Sequence, residues 1–323
     1  MTPCLERSNS ATVLGFGKGF WTRYRMVTSV DDIKSLRFWK AVIAEMIGTL
    51  LLVMIACGSF TAWEDPNKDH HISNAGRIIQ ISLCFGLGVA TLVWVFGHVS
   101  GGHLNPSVTM AFFITRRISL ARAVMYVIGQ CVGGMIGAGL LKGVMPSNYT
   151  GNLGATTLQH GMNGGKGFGV EFFITFVLVL TVFASADKHR KDLRGSFPLS
   201  IGLAYTFCHL FAVPMTGAGM NTARSFGAAV VSGVWSSHWV YWLGPLLGGI
   251  LAGLMYENLF AANASLNKAM EFLLASDYDT EKHPGKKAKI RIIHEEDIDE
   301  KENELCEHLQ SPDTPIAHVI TNP

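Results

Sequence analysis

Hydrophobic positions along the chain gather into six long runs, near residues 38–62, 78–97, 119–142, 168–186, 196–214 and 238–260. At 1.5 Å rise per residue, about 20 apolar residues cross the roughly 30 Å hydrocarbon layer of a bilayer. Each run meets or nearly meets that length, so the pattern predicts six transmembrane helices. Between the second and third runs, and again between the fifth and sixth, the pattern breaks. There an apolar stretch of half-helix length follows a patch of small, polar and helix-breaking residues, "GHVSGGHLNPSV" at 97–108 and "AVPMTGAGMNTARSFG" at 212–227. These stretches, which begin at Asn105 and Asn221, are too short to cross alone.

The two halves repeat. "AEMIGTLLLVM" in the first run matches "VEFFITFVLVL" in the fourth, which puts Glu45 and Glu171 in register; "FGLGVA" matches "IGLAYT", and "SGGHLN" matches "TGAGMN". A repeat of three spans is odd, so the second copy starts on the other side of the membrane and the copies are inverted. The half-length segments then enter from opposite faces and meet near the middle. The sequence therefore predicts an all-α membrane protein: six transmembrane helices plus two re-entrant half-helices, in inverted three-helix repeats. Its channel domain would span 38–260, with repeats at 38–142 and 168–260, between a cytoplasmic N-terminal tail (1–37) and a largely disordered cytoplasmic C-terminal tail (261–323).

Lipid cannot satisfy free backbone N–H and C=O groups, so non-helical chain at membrane depth must be buried in protein or line a water-filled path. Gly101, Gly102, Gly217 and Gly219 would let the re-entrant arms run extended, with their carbonyls and that of His103 available as acceptors. Asn105 and Asn221 stand where helix N-caps belong, and Pro106 suits a first helical residue. Each half-helix would direct about half a positive charge at the midplane, which repels cations. Glu45 and Glu171 read as buried acceptors for the arms rather than as proton relays, because their spans carry no basic partners. Gly133 with Gly137, Gly244 with Gly248 and Gly249 with Gly253 have the spacing of close helix contacts.

Composition agrees with the pattern: of 323 residues, 49% are hydrophobic and only 15% charged. Basic residues set the orientation. Arg7, Lys18, Arg23, Arg25, Lys34 and Arg37 precede the first span and Lys40 stands at its start, Arg116, Arg117 and Arg122 flank the third, and Lys188, Arg190, Lys191 and Arg194 follow the fourth. Those ends are expected in the cytoplasm, with both termini, in a multi-pass protein of the plasma membrane. Residues 1–35 hold no apolar signal-peptide core. Cys4 and Cys306 fall in the cytosolic tails and the other four cysteines in apolar runs, a pattern without disulfides. The His70–His71 pair lacks a third ligand, so no metal site is expected. No cofactor and no nucleic acid is expected, and no nucleophile, base and orienter converge for an enzyme. Asn148 heads a glycosylation sequon in an outer loop, whereas the sequon at Asn263 faces the cytoplasm. Ser119 reads either as the N-cap of the third span or as a basic-directed phosphorylation site. "SLNKAMEFLLAS" has the pattern of a short amphipathic surface helix. Beyond it the tail is a solvated segment that would serve any cytoplasmic partners.

Two Asn-headed repeats, "GGHLNPSVT" and "GAGMNTARSFG", on six spans with a Glu in spans one and four, resemble the aquaporins of the major intrinsic protein family. "CFGL", "GVEFFITFVLVLTVFAS" and "HWVYWLGP" are most similar to its water-selective animal branch. The resemblance covers residues 38–260. It implies a homotetramer in the lipid bilayer, each subunit with its own single-file pore, and asparagine motifs at Asn105-Pro106-Ser107 and Asn221-Thr222-Ala223. It also implies a selectivity filter of Phe85, His209, Ala218 and Arg224, with a ring small and polar enough for water and too tight for glycerol. The motifs depart from the family twice: Ser107 stands where Ala is usual, and Thr222 where Pro is usual.

Water passing the asparagines would accept hydrogen bonds from their amides, which interrupts a proton-hopping chain. Arg224 and the half-helix dipoles would add the larger, electrostatic barrier. The expected function is a passive water channel. The alternatives are a wider facilitator for glycerol or urea, and a structural or junctional membrane protein whose conductance was lost through Thr222.

Overall fold

Short polar caps start most of the helices. The side chains of Ser35, Asn105, Ser119, Asn163, Ser196, Asn221 and Ser265 each accept a hydrogen bond from a backbone N–H in the first turn of the helix that follows. The computed structural model describes residues 30–60, 74–192, 195–275 and 278. Most of the predicted N-terminal tail, the tail from 279 on, Lys68, Arg194, the His70–His71 pair, Cys4 and Cys306 lie outside the described residues.

The helices in chain order are α1 (Val30–Ile33), α2 (Leu36–Gly58), α3 (Asn74–Ser100), α4 (Pro106–Ile114), α5 (Leu120–Val144), α6 (Gly164–Ser185), α7 (Phe197–Thr216), α8 (Thr222–Ser232), α9 (Val240–Met255) and α10 (Leu266–Leu274). Among the described residues there is no strand. Among the described residues six helices are long and apolar enough to cross a membrane: α2, α3, α5, α6, α7, and α9 with its π-helical extension to Phe260. The half-helices are α4 and α8. The first span stops at Gly58, four residues before the apolar run does, because Ser59 turns its N–H back onto the Ala56 and Cys57 carbonyls.

Packing follows the inverted repeat. In the first copy α2 lies along α5, and in the second α6 lies along α9; α3 crosses α7; each half-helix packs on the third span of the other copy, α4 on α9 and α8 on α5. Glycines permit these approaches. A Cβ on Gly133 or Gly137 would strike the Met46 or Leu50 carbonyl of α2, and one on Gly248 would strike the Phe172 carbonyl of α6. Gly86 and Gly202, 116 residues apart, face each other where α3 crosses α7, each against the other's carbonyl oxygen.

Candidate functional site

Each arm hangs from one buried carboxylate. Glu45 Oε1 accepts from Ser100 Oγ at 2.6 Å and from the His103 N–H at 2.9 Å, while its Oε2 accepts from the Leu104 N–H at 2.5 Å and Gln130 Nε2 at 2.8 Å. Glu171 repeats the scheme, with Thr216 Oγ1 at 2.6 Å and the Gly219 and Met220 N–H groups at 2.8 Å. Tyr126 and Tyr241 complete it from the third spans, donating to the Ser100 and Thr216 carbonyls at 2.9 and 2.8 Å. A carboxylate that gathers amide protons leaves the arm carbonyls turned elsewhere, which is how a non-helical segment survives at this depth.

The arms are not extended, as the sequence led us to expect. Gly101, Gly102 and Leu104 in the first arm have φ of 94°, 64° and 49°, and Gly217, Ala218 and Met220 in the second have 77°, 50° and 51°. Left-handed residues thus curl both arms, and three of the six are not glycine. Gly219 is needed for space instead: a Cβ there would lie 2.7 Å from the Tyr241 ring and 2.9 Å from Glu171 Oε2.

Where the arms end, the two asparagines meet. Asn105 caps α4 through the Ser107 N–H (2.9 Å), and Asn221 caps α8 through the Ala223 and Arg224 N–H groups (3.0 and 3.2 Å). Their amide nitrogens then cross between the copies: Asn105 Nδ2 donates to the Met220 carbonyl at 2.9 Å, and Asn221 Nδ2 to the Leu104 carbonyl at 2.7 Å. Each NH₂ has two protons, so each keeps one beyond this tie. Pro106 and Thr222 are the first residues of the half-helices, and the buried hydroxyls of Ser107 and Thr222 have no hydrogen-bond partner among the described residues. Ala223 is fully buried, its carbonyl against Gly134.

Phe85, His209 and Arg224, from three different helices, come together beside Asn221. The Phe85 and His209 rings stack at 4.5 Å, and the Arg224 guanidinium lies 5.1 Å from the Phe85 ring and 5.2 Å from that of Phe60. Arg224 is fully buried, its Nη1 donating to the Gly154 carbonyl at 2.6 Å, while its Nε and Nη2 have no partner among the described residues. His209 Nδ1 sits 3.1 Å from the Tyr205 carbonyl, which can only accept, so in the neutral ring the proton is on Nδ1 and Nε2 is an acceptor with no partner among the described residues. Buried, unpaired donors and an unpaired acceptor therefore stand side by side. Ala218 is fully buried in the second arm.

On the other side of the asparagines a cavity of about 340 Å³ opens toward the end that carries Asp187 and Lys188. Gly101, Gly102, His103 and Leu104 line it, with Val89, Val93, Val108, Ile201 and Tyr205. At its rim Asp187 accepts from the Ala262 and His189 N–H groups at 2.9 Å and from Tyr256 Oη at 3.1 Å. Burial alone would raise the Asp187 carboxyl, but these bonds outweigh it and hold the pKa below the ordinary value.

Ser119 is the cap of α5, taking the Arg122 N–H at 3.2 Å and donating to Asp32 at 2.9 Å. Asn148 is exposed in a single 3₁₀ turn, Ser147–Tyr149. Sequence reasoning missed Gly154, Gln130, Tyr126, Tyr241 and Tyr205. The two tyrosines of the third spans sit 115 residues apart, close to the spacing of the repeat, and that signal was available.

Residues 32–256 match the major intrinsic protein family. The chain is 46% identical to aquaporin-4 of Bos taurus over 247 residues, 76% of this chain and 75% of that one, and 45% identical to aquaporin-4 of Mus musculus over 83% and 78%. Aquaporin-1 of Mus musculus is 44% identical over 73% of this chain and 87% of its own. The fold is similar to the X-ray structure of the aquaglyceroporin from Plasmodium falciparum, with TM-score 0.60 and 20% identity over 69% of this chain and 96% of that one. With paired arms, crossed asparagines and this likeness along most of its length, the chain belongs to the major intrinsic protein family of membrane channels, as an aquaporin-4-like aquaporin.

Proposed function

We propose that the protein is a passive channel conducting water in single file down osmotic gradients while excluding protons, ions and glycerol. The observation that carries this reading is the cluster of Phe85, His209 and Arg224. There the stacked rings leave little room, and the unpaired Arg224 donors and His209 Nε2 acceptor offer what one water molecule needs, a donor and an acceptor at once. Glycerol can hydrogen-bond there as well, but its carbon backbone needs a wider opening than the stacked rings leave. The amides of Asn105 and Asn221 orient water beyond the ring. The half-helix N-termini and Arg224 place positive potential along the path, against hydronium and cations. The aquaporin-1 and aquaporin-4 relatives support the same reading by their names.

In this proposal Gly101, Gly102, His103, Gly217 and Gly219 contribute backbone acceptors to the pore. The chain assembles as a homotetramer in the plasma membrane, with both termini and the Asp187 end in the cytoplasm. The non-conducting alternative rested on Thr222. That residue is a regular first helical residue of α8, which supports a retained half-helix and an intact site. Stopped-flow shrinkage of proteoliposomes tests the proposal, with water, glycerol and proton flux taken on one preparation. The expected result is fast water flux of low activation energy with glycerol and protons at the protein-free level. Water flux at the protein-free level overturns it.

A further inference from the structure

Tyr205 breaks the internal symmetry of the molecule at its centre. Its counterpart in the first copy, 116 residues earlier, is Val89, and both line the cavity on the Asp187 side. The tyrosine reaches further. Its hydroxyl lies 3.3 Å from Asn105 Nδ2, and its ring lies 5.6 Å from the His209 ring. Only 4% of the residue is exposed. One side chain thus touches the cavity, the pair of asparagines and the aromatic cluster. Neither asparagine nor His209 lines that cavity, so Tyr205 stands between it and them.

We infer that the Tyr205 phenol is a constriction of the pathway, set between the cavity and the asparagines, and that it limits the rate of permeation. This deepens the water-channel reading and rests on it for the rate. Two physical effects follow from the same contact. The phenol occupies volume that valine leaves open in the other copy. Its oxygen also faces the Asn105 amide proton not used by the Met220 carbonyl, so a passing water must compete for that donor.

Three variants in proteoliposomes test this, each checked for an unchanged melting temperature. Tyr205→Val should raise water flux per protein about fivefold, the rate equivalent of one ordinary hydrogen bond, and lower its activation energy, with glycerol still excluded by the Phe85–His209–Arg224 cluster. Tyr205→Phe keeps the ring and removes the hydroxyl, so it should give part of that gain. Tyr205→Cys, reacted with a small water-soluble methanethiosulfonate and read by mass against the parent, reports placement independently of flux. Labelling beyond the parent's own cysteines is expected. Flux through Tyr205→Val equal to or below the parent's, where the parent conducts, overturns the inference. So does a Tyr205→Cys thiol that stays unlabelled. If neither parent nor Tyr205→Val conducts, the water-channel reading and the rate claim fall together, and labelling alone decides whether Tyr205 lies in the pathway.

Discussion

The cluster of Phe85, His209 and Arg224, to which we assign Ala218 as a fourth member, has a twin on the other side of the asparagines, and the two levels could hardly differ more. Shifted by 116 residues, the same four places hold Ile201, Val93, Gly102 and Val108. All four line the 340 Å³ cavity. One inverted fold thus builds a polar cluster with stacked rings at one level and an apolar chamber at the other. What the copies share is scaffold: the carboxylates, the left-handed arms, the caps and the crossing glycines. What they do not share is the chemistry that a permeating molecule would meet. Duplication supplies the frame, and divergence within it supplies the selectivity we propose.

The scaffold half of the comparison should give way most violently. Glu45→Ala removes the acceptor of three buried donors and of the half-buried Ser100 Oγ, and Glu171→Ala that of three buried donors, each buried donor left unpaired costing about 1 to 3 kcal/mol. Both variants should lose several kcal/mol, Glu45→Ala the more. Thermal melting in detergent checks the ranking, and a mild effect at either site would show that the arms are held by something else.

Giving the polar level the residues of its twin probes the divergent half. Phe85→Ile with His209→Val should let glycerol through, with uptake in proteoliposomes rising about tenfold, as for removal of a barrier of about 1.4 kcal/mol. Glycerol uptake unchanged in the folded double variant would mean that these two rings do not form the constriction.

Smaller effects concern the two residues at which the half-helix starts differ. Thr222→Pro restores the match with Pro106 at a first helical position, and the Thr222 hydroxyl it removes has no partner. A gain of about 0.4 to 1 kcal/mol is expected from the narrowed unfolded ensemble. Ser107→Ala, matching Ala223, deletes another buried hydroxyl without a partner and should also stabilise. A lower melting temperature in either variant would contradict this account of the half-helix starts.

The smallest effect lies at the rim of the apolar chamber. The Asp187 pKa is lower in the folded state than in the unfolded chain, so its bonds to Ala262, His189 and Tyr256 contribute fully above the ordinary carboxylate value of about 3.9. They are lost as pH falls from there through the depressed folded value. Hydrogen exchange at the Ala262 amide should therefore quicken, relative to its intrinsic rate, only in that acidic window, and Asp187→Asn should remove the dependence.

Much of the site was legible because it is duplicated. Asn105 with Asn221, and Glu45 with Glu171, announce themselves as pairs in matched strings, and a buried carboxylate without basic partners has few tasks other than accepting backbone protons. Phe85, His209 and Arg224 carry no such internal signal, since their counterparts are Ile201, Val93 and Val108; only resemblance to a family singled them out. Gly154 was illegible for another reason. Its contribution is a carbonyl oxygen, which every residue has, and only the chain path brings it to Arg224.

The sequence by itself determined the number of crossings, their inversion and the starts of both half-helices. These depend on hydropathy over about 20 residues, on the odd count of spans per repeat and on caps that act within one turn. Tertiary structure alone decided how the pieces meet. It settled that each asparagine ties its amide to the other copy's arm, that Arg224 spends one nitrogen on Gly154 and keeps two unpaired, and that Tyr205 rather than Val89 reaches the centre. The reason is distance along the chain. The bonds from Asn221 to Leu104 and from Arg224 to Gly154 join residues 117 and 70 positions apart, and no local pattern encodes which of two equivalent side chains will cover such a gap.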